Sequence, residues 1–261
     1  MAAAWNGYWP GALMQRPFTD WGGIIVAYLL MVAVNVLANA LPIAGVTTGE
    51  VSARYASLFT PAGFTFSIWA VIYLTLGAFV VYQATPAQRR NADLAVISRP
   101  FVLSCLANAA WIFAWHHELL LLSLALMAVL LVALLIIYRR LHVAEAWASR
   151  AQRIFTQGPF SLYTAWITVA TLANISAVQA GFGLSDLWLD AVNWTLVKLA
   201  LAASLGATFA LRRGDVLFPL VVAWAAVGIM VGQVSTPAVA GAAATVALIC
   251  AILAASEAGR K

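Results

Sequence analysis

Charged residues are what this sequence has least of. Asp, Glu, Lys and Arg make up 9% of its 261 residues, whereas a soluble globular domain carries about 25%. Hydrophobic residues make up 64%, and the mean hydropathy is +0.93. So few charges cannot cover a surface that faces water, which excludes an ordinary soluble domain. The composition predicts a protein whose surroundings are largely lipid.

Cysteine and recognisable site motifs are also scarce. Cys105 and Cys250 both lie in apolar runs, so we interpret them as small core residues and not as a disulfide. The sequence has no zinc-type spacing and no phosphate-binding loop. The N-terminus lacks the basic region and short apolar core of a cleaved signal peptide. We therefore expect the first spanning helix to direct insertion itself.

Long apolar stretches are what the chain has instead. A membrane-spanning helix needs about 20 residues, at about 1.5 Å of rise each. Stretches of this kind are predicted at 22–42, 62–83, 97–116, 118–138, 159–180, 187–211, 215–233 and 237–256. The expected fold class is therefore an all-α integral membrane protein with about eight transmembrane helices.

Basic residues sort to one side of these predicted helices. If both termini lie on one face, that face holds 12 of the 14 Lys and Arg residues, while the opposite face holds Arg54 and Lys198 lies within a span. Such an asymmetry is typical of the cytoplasmic side. We expect a multi-pass protein of the inner (plasma) membrane with both termini in the cytoplasm. The net charge of +5 is attributed to loops that contact anionic lipid, not to nucleic-acid binding.

Three predicted helices carry aromatic and polar side chains on one face. Residues three, four, seven or eight apart share a helix face, and the first helix adds Asn35 and Asn39. The three stripes are Trp69, Tyr73 and Gly77; Asn108, Trp111 and Trp115; and Trp166, Ala170 and Asn174, with Tyr163 beside Trp166. All lie in the exoplasmic half, below the predicted loop 43–60. Indoles and amides at one depth predict a pocket for a flat apolar ligand with a few polar atoms.

Each of these residues also has a purely structural interpretation. A Trp near a helix end commonly anchors the protein at the membrane interface, which is the interpretation favoured for Trp115. A buried Asn commonly joins neighbouring helices by hydrogen bonds. The pocket is therefore inferred from the stripes together and not from any one residue.

The same motifs resemble those of the translocator protein family, also called tryptophan-rich sensory proteins. That family's second helix follows a proline and places Trp, Tyr and Gly four residues apart. Its third helix has Asn and Trp three apart, and its fifth has Tyr, Trp, Ala and Asn. The matching residues here are Pro61, Trp69, Tyr73 and Gly77; Asn108 and Trp111; and Tyr163, Trp166, Ala170 and Asn174.

The resemblance covers about 20–185 and implies a five-helix core there, so the chain is expected to have three parts. These are an interfacial N-terminal segment at 1–20, a five-helix translocator-protein-like core at 21–185, and three additional transmembrane helices at 186–261, as in a longer bacterial branch. In the first part, Trp5, Tyr8 and Trp9 are expected to form an aromatic anchor. The family's Tyr–basic cholesterol-type motif after the fifth helix is absent, so sterol binding is not expected.

The function that the resemblance implies is a membrane receptor or carrier for a tetrapyrrole-like ligand, in sensing or transport. Family members bind porphyrins and small aromatic drugs in a pocket capped by the first loop. No cofactor is required, since a porphyrin or haem would enter as the ligand. The expected partners are this hydrophobic small molecule and the membrane lipids, and homodimer formation is left open. The expected ligand-binding residues are Asn39, Trp69, Tyr73, Asn108, Trp111, Tyr163, Trp166, Ala170 and Asn174.

Two other classes of function remain open. A secondary transporter would use Lys198, a cation expected near mid-membrane, where charges are costly and commonly functional. Asp190 shares its helix face eight residues earlier. An enzyme acting on a membrane-soluble substrate would use His116, His117 and Glu118, whose side chains suit general acid–base chemistry.

Overall fold

The computed structural model describes residues 15–41, 43–141 and 149–260. Trp5, Tyr8 and Trp9, which we expected to form an interfacial anchor, lie outside these residues. Within the described ranges the chain is helical and has no β-strand. The predicted all-α fold class is therefore confirmed.

The helices of the described chain are separated by short connections. They are α1 (Phe18–Ala40), α2 (Thr48–Arg54), α3 (Ile68–Ala84), α4 (Ala92–His116), α5 (Leu120–Arg140), α6 (Arg150–Gln152), α7 (Gly158–Gly181), α8 (Ala191–Arg213), α9 (Leu217–Gly232) and α10 (Pro237–Ala258). A 3₁₀ segment, Gly63–Ser67, leads into α3. A π-helical segment, Arg153–Gln157, joins α6 to α7. Helix α6, this π-helical segment and α7 form one continuous helix, Arg150–Gly181.

Seven helical stretches of the described residues are long and apolar enough to cross a membrane, so the chain is a multi-pass membrane protein. The Ala-rich α10 is one of them. The exception is α9, the seventh predicted span, which has 16 residues. It is about 24 Å long, against about 30 Å for the hydrocarbon core of a bilayer. Most of α9 is buried, because it packs against α7, α8 and α10.

The two ends of the bundle differ in charge. At one end Arg16 lies beside Arg89, whose backbone carbonyl accepts its N–H at 2.7 Å, and Arg140 donates to the carbonyl of Val96 at 2.7 Å. We call this the arginine-rich end. The opposite end carries α2, where Arg54 pairs with Glu118, and we call it the α2 end.

Helix packing divides the bundle into two groups. In the first group α4 packs on α1 and α5, α5 packs on α7, and α3 contacts α1 and α7. In the second group α8, α9 and α10 pack on one another, and α9 joins them to α7. At the arginine-rich end, buried Asp215 ties the groups together by accepting hydrogen bonds from Tyr138 and Ser161. Its carboxylate also accepts from the first backbone N–H groups of α9.

The short helix α2 is fixed by its own sequence. Thr47 and Glu50 form a capping box, in which each side chain accepts a hydrogen bond from the other residue's backbone N–H. Such a box satisfies two N–H groups that a helix start leaves unpaired. The hydrogen bonds from Thr47 hold the pKa of Glu50 below its ordinary value. The loop 43–60 therefore contains a preformed helix that lies over the end of the bundle.

Candidate functional site

An aromatic cavity lies beneath α2, between α3, α4, α7 and α9. Its walls include three Trp residues from three helices: Trp69, Trp111 and Trp166. We call it the aromatic cavity and define it by these three residues together with Ser52, Tyr55, Phe66, Trp115, Met127, Ala170, Asn174, Ala225 and Ile229. Its volume is about 70 Å³, smaller than the about 300–1,000 Å³ of a typical small-molecule site.

A larger groove adjoins this cavity on the side of α1. Its volume is about 880 Å³, and it runs between α1, α2, α3 and α4. Asn39 and Tyr73 line this outer groove and not the cavity. Phe66, Trp69 and Trp111 line both spaces and therefore form the boundary between them.

The aromatic rings of the site pack on one another both edge to face and stacked. Trp69 packs at about 90° to Trp166, with ring centroids 6.1 Å apart, and stacks on Tyr73 at 5.5 Å. Trp111 stacks on Trp115 with centroids 5.5 Å apart. Such pairs contribute about 0.5–1.5 kcal/mol each beyond buried area. The rings thus form two clusters in the lining, one from α3 and α7 and one from α4.

Polar contacts orient the wall that α4 supplies. The indole N–H of Trp111 donates to Oδ1 of Asn174 at 3.0 Å, and Nδ2 of Asn174 donates to Ser123 of α5 at 3.0 Å. Trp166 differs, because its Nε1 is buried and has no acceptor among the described residues. A buried donor without a partner costs about 1–3 kcal/mol. Trp166 therefore adds to the cavity lining one buried indole N–H without a protein acceptor among the described residues.

Asn108 and Tyr163 lie behind the cavity and do not line it. Nδ2 of Asn35 donates to Oδ1 of Asn108 at 2.7 Å, and Nδ2 of Asn108 donates to the Tyr163 hydroxyl at 2.9 Å. These hydrogen bonds join α1, α4 and α7 through buried side chains. Asn108 therefore joins neighbouring helices by hydrogen bonds, which is the structural interpretation given above for a buried Asn. Tyr163 still supports the site, since its ring packs against Trp69 at 6.1 Å.

Helix α2 closes the cavity from above. Ser52 and Tyr55 contribute to its lining, and Glu118, in the turn between α4 and α5, holds the end of α2. Arg54 pairs with Glu118, and the Tyr55 hydroxyl donates to Oε2 of Glu118 at 2.5 Å. This hydrogen bond raises the pKa of Tyr55, so the hydroxyl stays protonated as a donor. The indole of Trp115 donates to the carbonyl of Thr48 at 3.2 Å, which gives α2 another attachment.

Helix α9 closes the cavity from the side. Ala225 and Ile229 line it, and two glycines let α9 approach the segment 60–65 closely. A Cβ on Gly228 would lie 2.0 Å from Oγ1 of Thr65, and one on Gly232 would lie 3.1 Å from the backbone N of Ala62. The carbonyl of Gly228 accepts the Ala62 N–H at 2.9 Å. The wall from α9 is thus attached to the residues that lead into α3.

Lys198 and Asp190 are not paired. Asp190 caps the start of α8, accepting the backbone N–H of Asn193 at 2.8 Å. Nζ of Lys198 donates instead to Ser176 at 2.6 Å and to Gln179 at 2.5 Å, both on α7. Lys198 also lies nearer the α2 end than we predicted, because α8 begins at Ala191 and not at 187.

Two of the three residues proposed for acid–base chemistry have protein partners, whereas the third, His117, is exposed. His116 is buried, with Nδ1 2.8 Å from the carbonyl of Ile112 and Nε2 3.4 Å from the Thr48 hydroxyl. Glu118 is occupied by Arg54 and Tyr55. Within 15–41, 43–141 and 149–260, no group of three His, Cys, Asp or Glu residues could hold a metal ion. These contacts give His116 and Glu118 structural roles at the cavity mouth.

Sequence reasoning missed part of the cavity. Trp115, interpreted as an interfacial anchor, is buried and stacks on Trp111 inside the site. Its spacing of four residues from Trp111 had already placed it on the same helix face, but its position near the helix end favoured the interfacial interpretation. Ala225 and Ile229 gave no signal, since small and aliphatic residues in an apolar helix look alike whether or not they line a cavity.

Comparison with known proteins gives one match. A family model described as TSPO-like protein matches residues 22–256. The match therefore continues through the last three helices, beyond the stretch 20–185 on which the motif resemblance rests. No curated protein and no solved structure matches the chain.

Proposed function

Because this chain belongs to the family of TSPO-like proteins, we propose that it binds a flat, hydrophobic aromatic ligand at the aromatic cavity and the outer groove. The ligand class is that of porphyrins and other tetrapyrroles. The protein then acts as a membrane receptor or carrier for this ligand. The observation that carries the proposal is the convergence of Trp69, Trp111 and Trp166, from three helices, on one cavity beneath α2.

The size of the site supports a ligand that occupies both spaces. The cavity alone is too small, whereas the outer groove of about 880 Å³ lies within the range of about 300–1,000 Å³ for small-molecule sites. Phe66, Trp69 and Trp111 line both spaces, so rotation of one of these rings would join them. A macrocycle would then lie against indole faces, and an edge nitrogen or carboxylate could accept the unpaired Trp166 N–H.

The charge distribution supports an orientation for this site. The arginine-rich end carries the basic residues that flank the spanning helices, which favours that end for the cytoplasm. Both described chain ends lie there: Arg16 contacts Arg89, and Glu257, close to Arg260 in the sequence, lies beside Gly214. The α2 end and the mouth of the site would then face the exoplasmic side of the inner membrane.

Titration with protoporphyrin IX tests the proposal. The full-length protein in lipid nanodiscs should show saturable quenching of Trp fluorescence and a shifted porphyrin absorption band. The same protein in sealed proteoliposomes separates the two roles, because a carrier moves protoporphyrin across the bilayer and a receptor does not. Quenching that rises linearly, without saturation and as in empty nanodiscs, would overturn the proposal.

A further inference from the structure

A buried cation lies outside the site described above. Lys198 is 7% exposed and lies seven residues after the first residue of α8, about 10 Å along the helix axis. Its ammonium donates to the Ser176 hydroxyl and to Oε1 of Gln179. Both partners are neutral. No carboxylate of the described residues lies within 4.0 Å of Nζ.

This arrangement leaves the ammonium incompletely compensated. A Lys has three N–H donors, and two are used. Burying a charge without a counter-charge is costly, and within a membrane protein such a group is a functional candidate by default. Ser176 supplies no negative charge, since its hydroxyl is neutral and donates its own proton to the carbonyl of Leu172 at 3.0 Å. A positive charge and one N–H donor thus remain available.

A groove leads from the α2 end to Lys198. Its volume is about 350 Å³, enough for a small organic molecule. It exists because α8 packs on α9 and α10 more closely than on α7. Besides Lys198, hydroxyl and amide side chains, one indole and three aliphatic side chains line the groove: Ala56, Ser57, Leu58, Ser176, Gln179, Ser185, Ala191, Trp194, Thr195 and Gln233. None of its lining residues lines the aromatic cavity.

We propose that this groove binds a small organic carboxylate, with Lys198 as its counter-charge. The charge of the groove selects a monoanion, because Lys198 is the single basic residue in its lining. Asp186 and Asp190 stand at the start of α8, where they accept backbone N–H groups of Ala191 and Asn193. Their negative charges disfavour a phosphate or a dicarboxylate. Leu58 and Trp194 provide apolar contact for a short hydrocarbon or aromatic tail.

The lysine content of the chain permits a direct test. The sequence has two lysines, Lys198 and Lys261. A Lys261→Arg protein, labelled biosynthetically with [ε-¹³C]lysine and placed in zwitterionic nanodiscs, therefore gives one lysine signal in an NMR spectrum. Sodium benzoate and sodium acetate should shift this signal saturably at constant ionic strength. Sodium chloride and the neutral analogue benzamide should not.

Two results in that experiment would overturn the proposal. One is a lysine signal that benzamide moves as much as benzoate does, which would indicate binding without the charge. The other is a saturable shift by sulfate and none by either carboxylate, which would indicate a polyanion site. The measurement reads Lys198 itself, so its outcome does not depend on whether protoporphyrin binds in the aromatic cavity.

Variants give a second, independent readout. Benzoate should raise the Tm of the wild-type protein in nanodiscs, because a ligand that binds the native state stabilises it. Lys198→Met keeps the length of the side chain and should abolish this rise. Ser204→Ala, on the exposed side of the same helix, should retain it. An equal benzoate-dependent rise in the Met variant would refute the role of Lys198.

Discussion

The indole N–H of Trp111 donates to Oδ1 of Asn174 at 3.0 Å, which joins α4 to α7 in the wall of the aromatic cavity. Asn174 is in turn held by Ser123 of α5, which accepts from its Nδ2 at 3.0 Å. Residues on two other helices therefore fix the orientation of Trp111. An amide that the sequence suggested as a ligand contact serves here to position an aromatic ring.

Replacing Asn174 with Leu tests this positioning. The change removes the acceptor and leaves the buried Trp111 N–H unpaired, at a cost of about 1–3 kcal/mol. We expect the Tm in nanodiscs to fall by several degrees, since each kcal/mol shifts it by about 2–4 °C in a chain of this size. We also expect weaker protoporphyrin binding.

The control for Asn174→Leu is Thr171→Val on the same helix. The hydroxyl of Thr171 bonds only to the carbonyl of Ile167. Equal losses in both variants would contradict the role of Asn174.

The fold could be predicted from composition because lipid imposes a simple rule. A bilayer requires long apolar helices, so each of the eight predicted spans corresponds to a helix, although α9 is short. The ends differ by a few residues where local contacts decide them. The start of α8, for example, is set by the cap at Asp190.

The site could be predicted only in part, because helix periodicity gives a face but not a neighbour. Helix periodicity predicted that Trp69, Trp111 and Trp166 lie at one depth in the bundle, and the three residues line one cavity. It could not distinguish Asn174, which lines the cavity, from Asn108, which bonds Asn35 and Tyr163 behind it. The contribution of α9 to the cavity could not be predicted, because the sequence of an apolar helix does not indicate which helices it packs against.

Each of the three cavity Trp residues should contribute to ligand affinity. Trp69→Ala, Trp111→Ala and Trp166→Ala each remove a stacking surface worth about 0.5–1.5 kcal/mol beyond area. The buried area adds about 3 kcal/mol or more. The Kd for protoporphyrin should therefore rise at least about tenfold, which corresponds to 1.4 kcal/mol.

The control for these variants is Trp188→Ala, because that side chain is 87% exposed. It should leave the Kd unchanged. Tm values must first show that each cavity variant is folded. Folded cavity variants that bind as tightly as the wild type would mean that the rings serve packing alone.

The ion pair between Arg54 and Glu118 should affect the rate of ligand dissociation more than the Tm of the protein. Glu118→Gln keeps an acceptor for Tyr55 but removes the charge that attracts Arg54. Because exposed ion pairs contribute about 0–1 kcal/mol, Tm should change little. Protoporphyrin should dissociate a few-fold faster from the variant, since α2 is held less firmly over the cavity.

Salt provides a check on this mechanism. Added salt screens exposed charges, so dissociation from the wild type should speed up between low and high salt. Dissociation from Glu118→Gln should be insensitive to salt. Arg260→Gln breaks the pair between the exposed Arg260 and the buried Glu257 at the arginine-rich end, away from α2, and its dissociation rate should depend on salt as that of the wild type does. If the dissociation rate of the wild type does not depend on salt concentration, the ion pair between Arg54 and Glu118 does not control ligand release.

The orientation can be read with reporter fusions. Fusions after residues 90, 150 and 213, at the arginine-rich end, should report the cytoplasm, because basic flanking loops stay there. A fusion within 45–55 should report the exoplasmic side. A cytoplasmic signal from the 45–55 fusion would contradict the orientation proposed for the site.

The close approach of α9 to the segment 60–65 should make Gly228 intolerant of even one methyl group. A Cβ there would meet Oγ1 of Thr65 at 2.0 Å and Cβ of Pro61 at 3.0 Å, so Gly228→Ala must push α9 away from the cavity. Overpacking of this kind costs about 1–3 kcal/mol.

The matched control is Gly241→Ala on α10, where nothing lies within 4 Å of the new Cβ. A helical Gly→Ala change there favours the helix by up to about 1 kcal/mol. We therefore expect a lower Tm and weaker protoporphyrin binding for Gly228→Ala, against an unchanged or higher Tm and unchanged binding for Gly241→Ala. If Gly228→Ala instead matches the control in both measurements, α9 is not a wall of the ligand site.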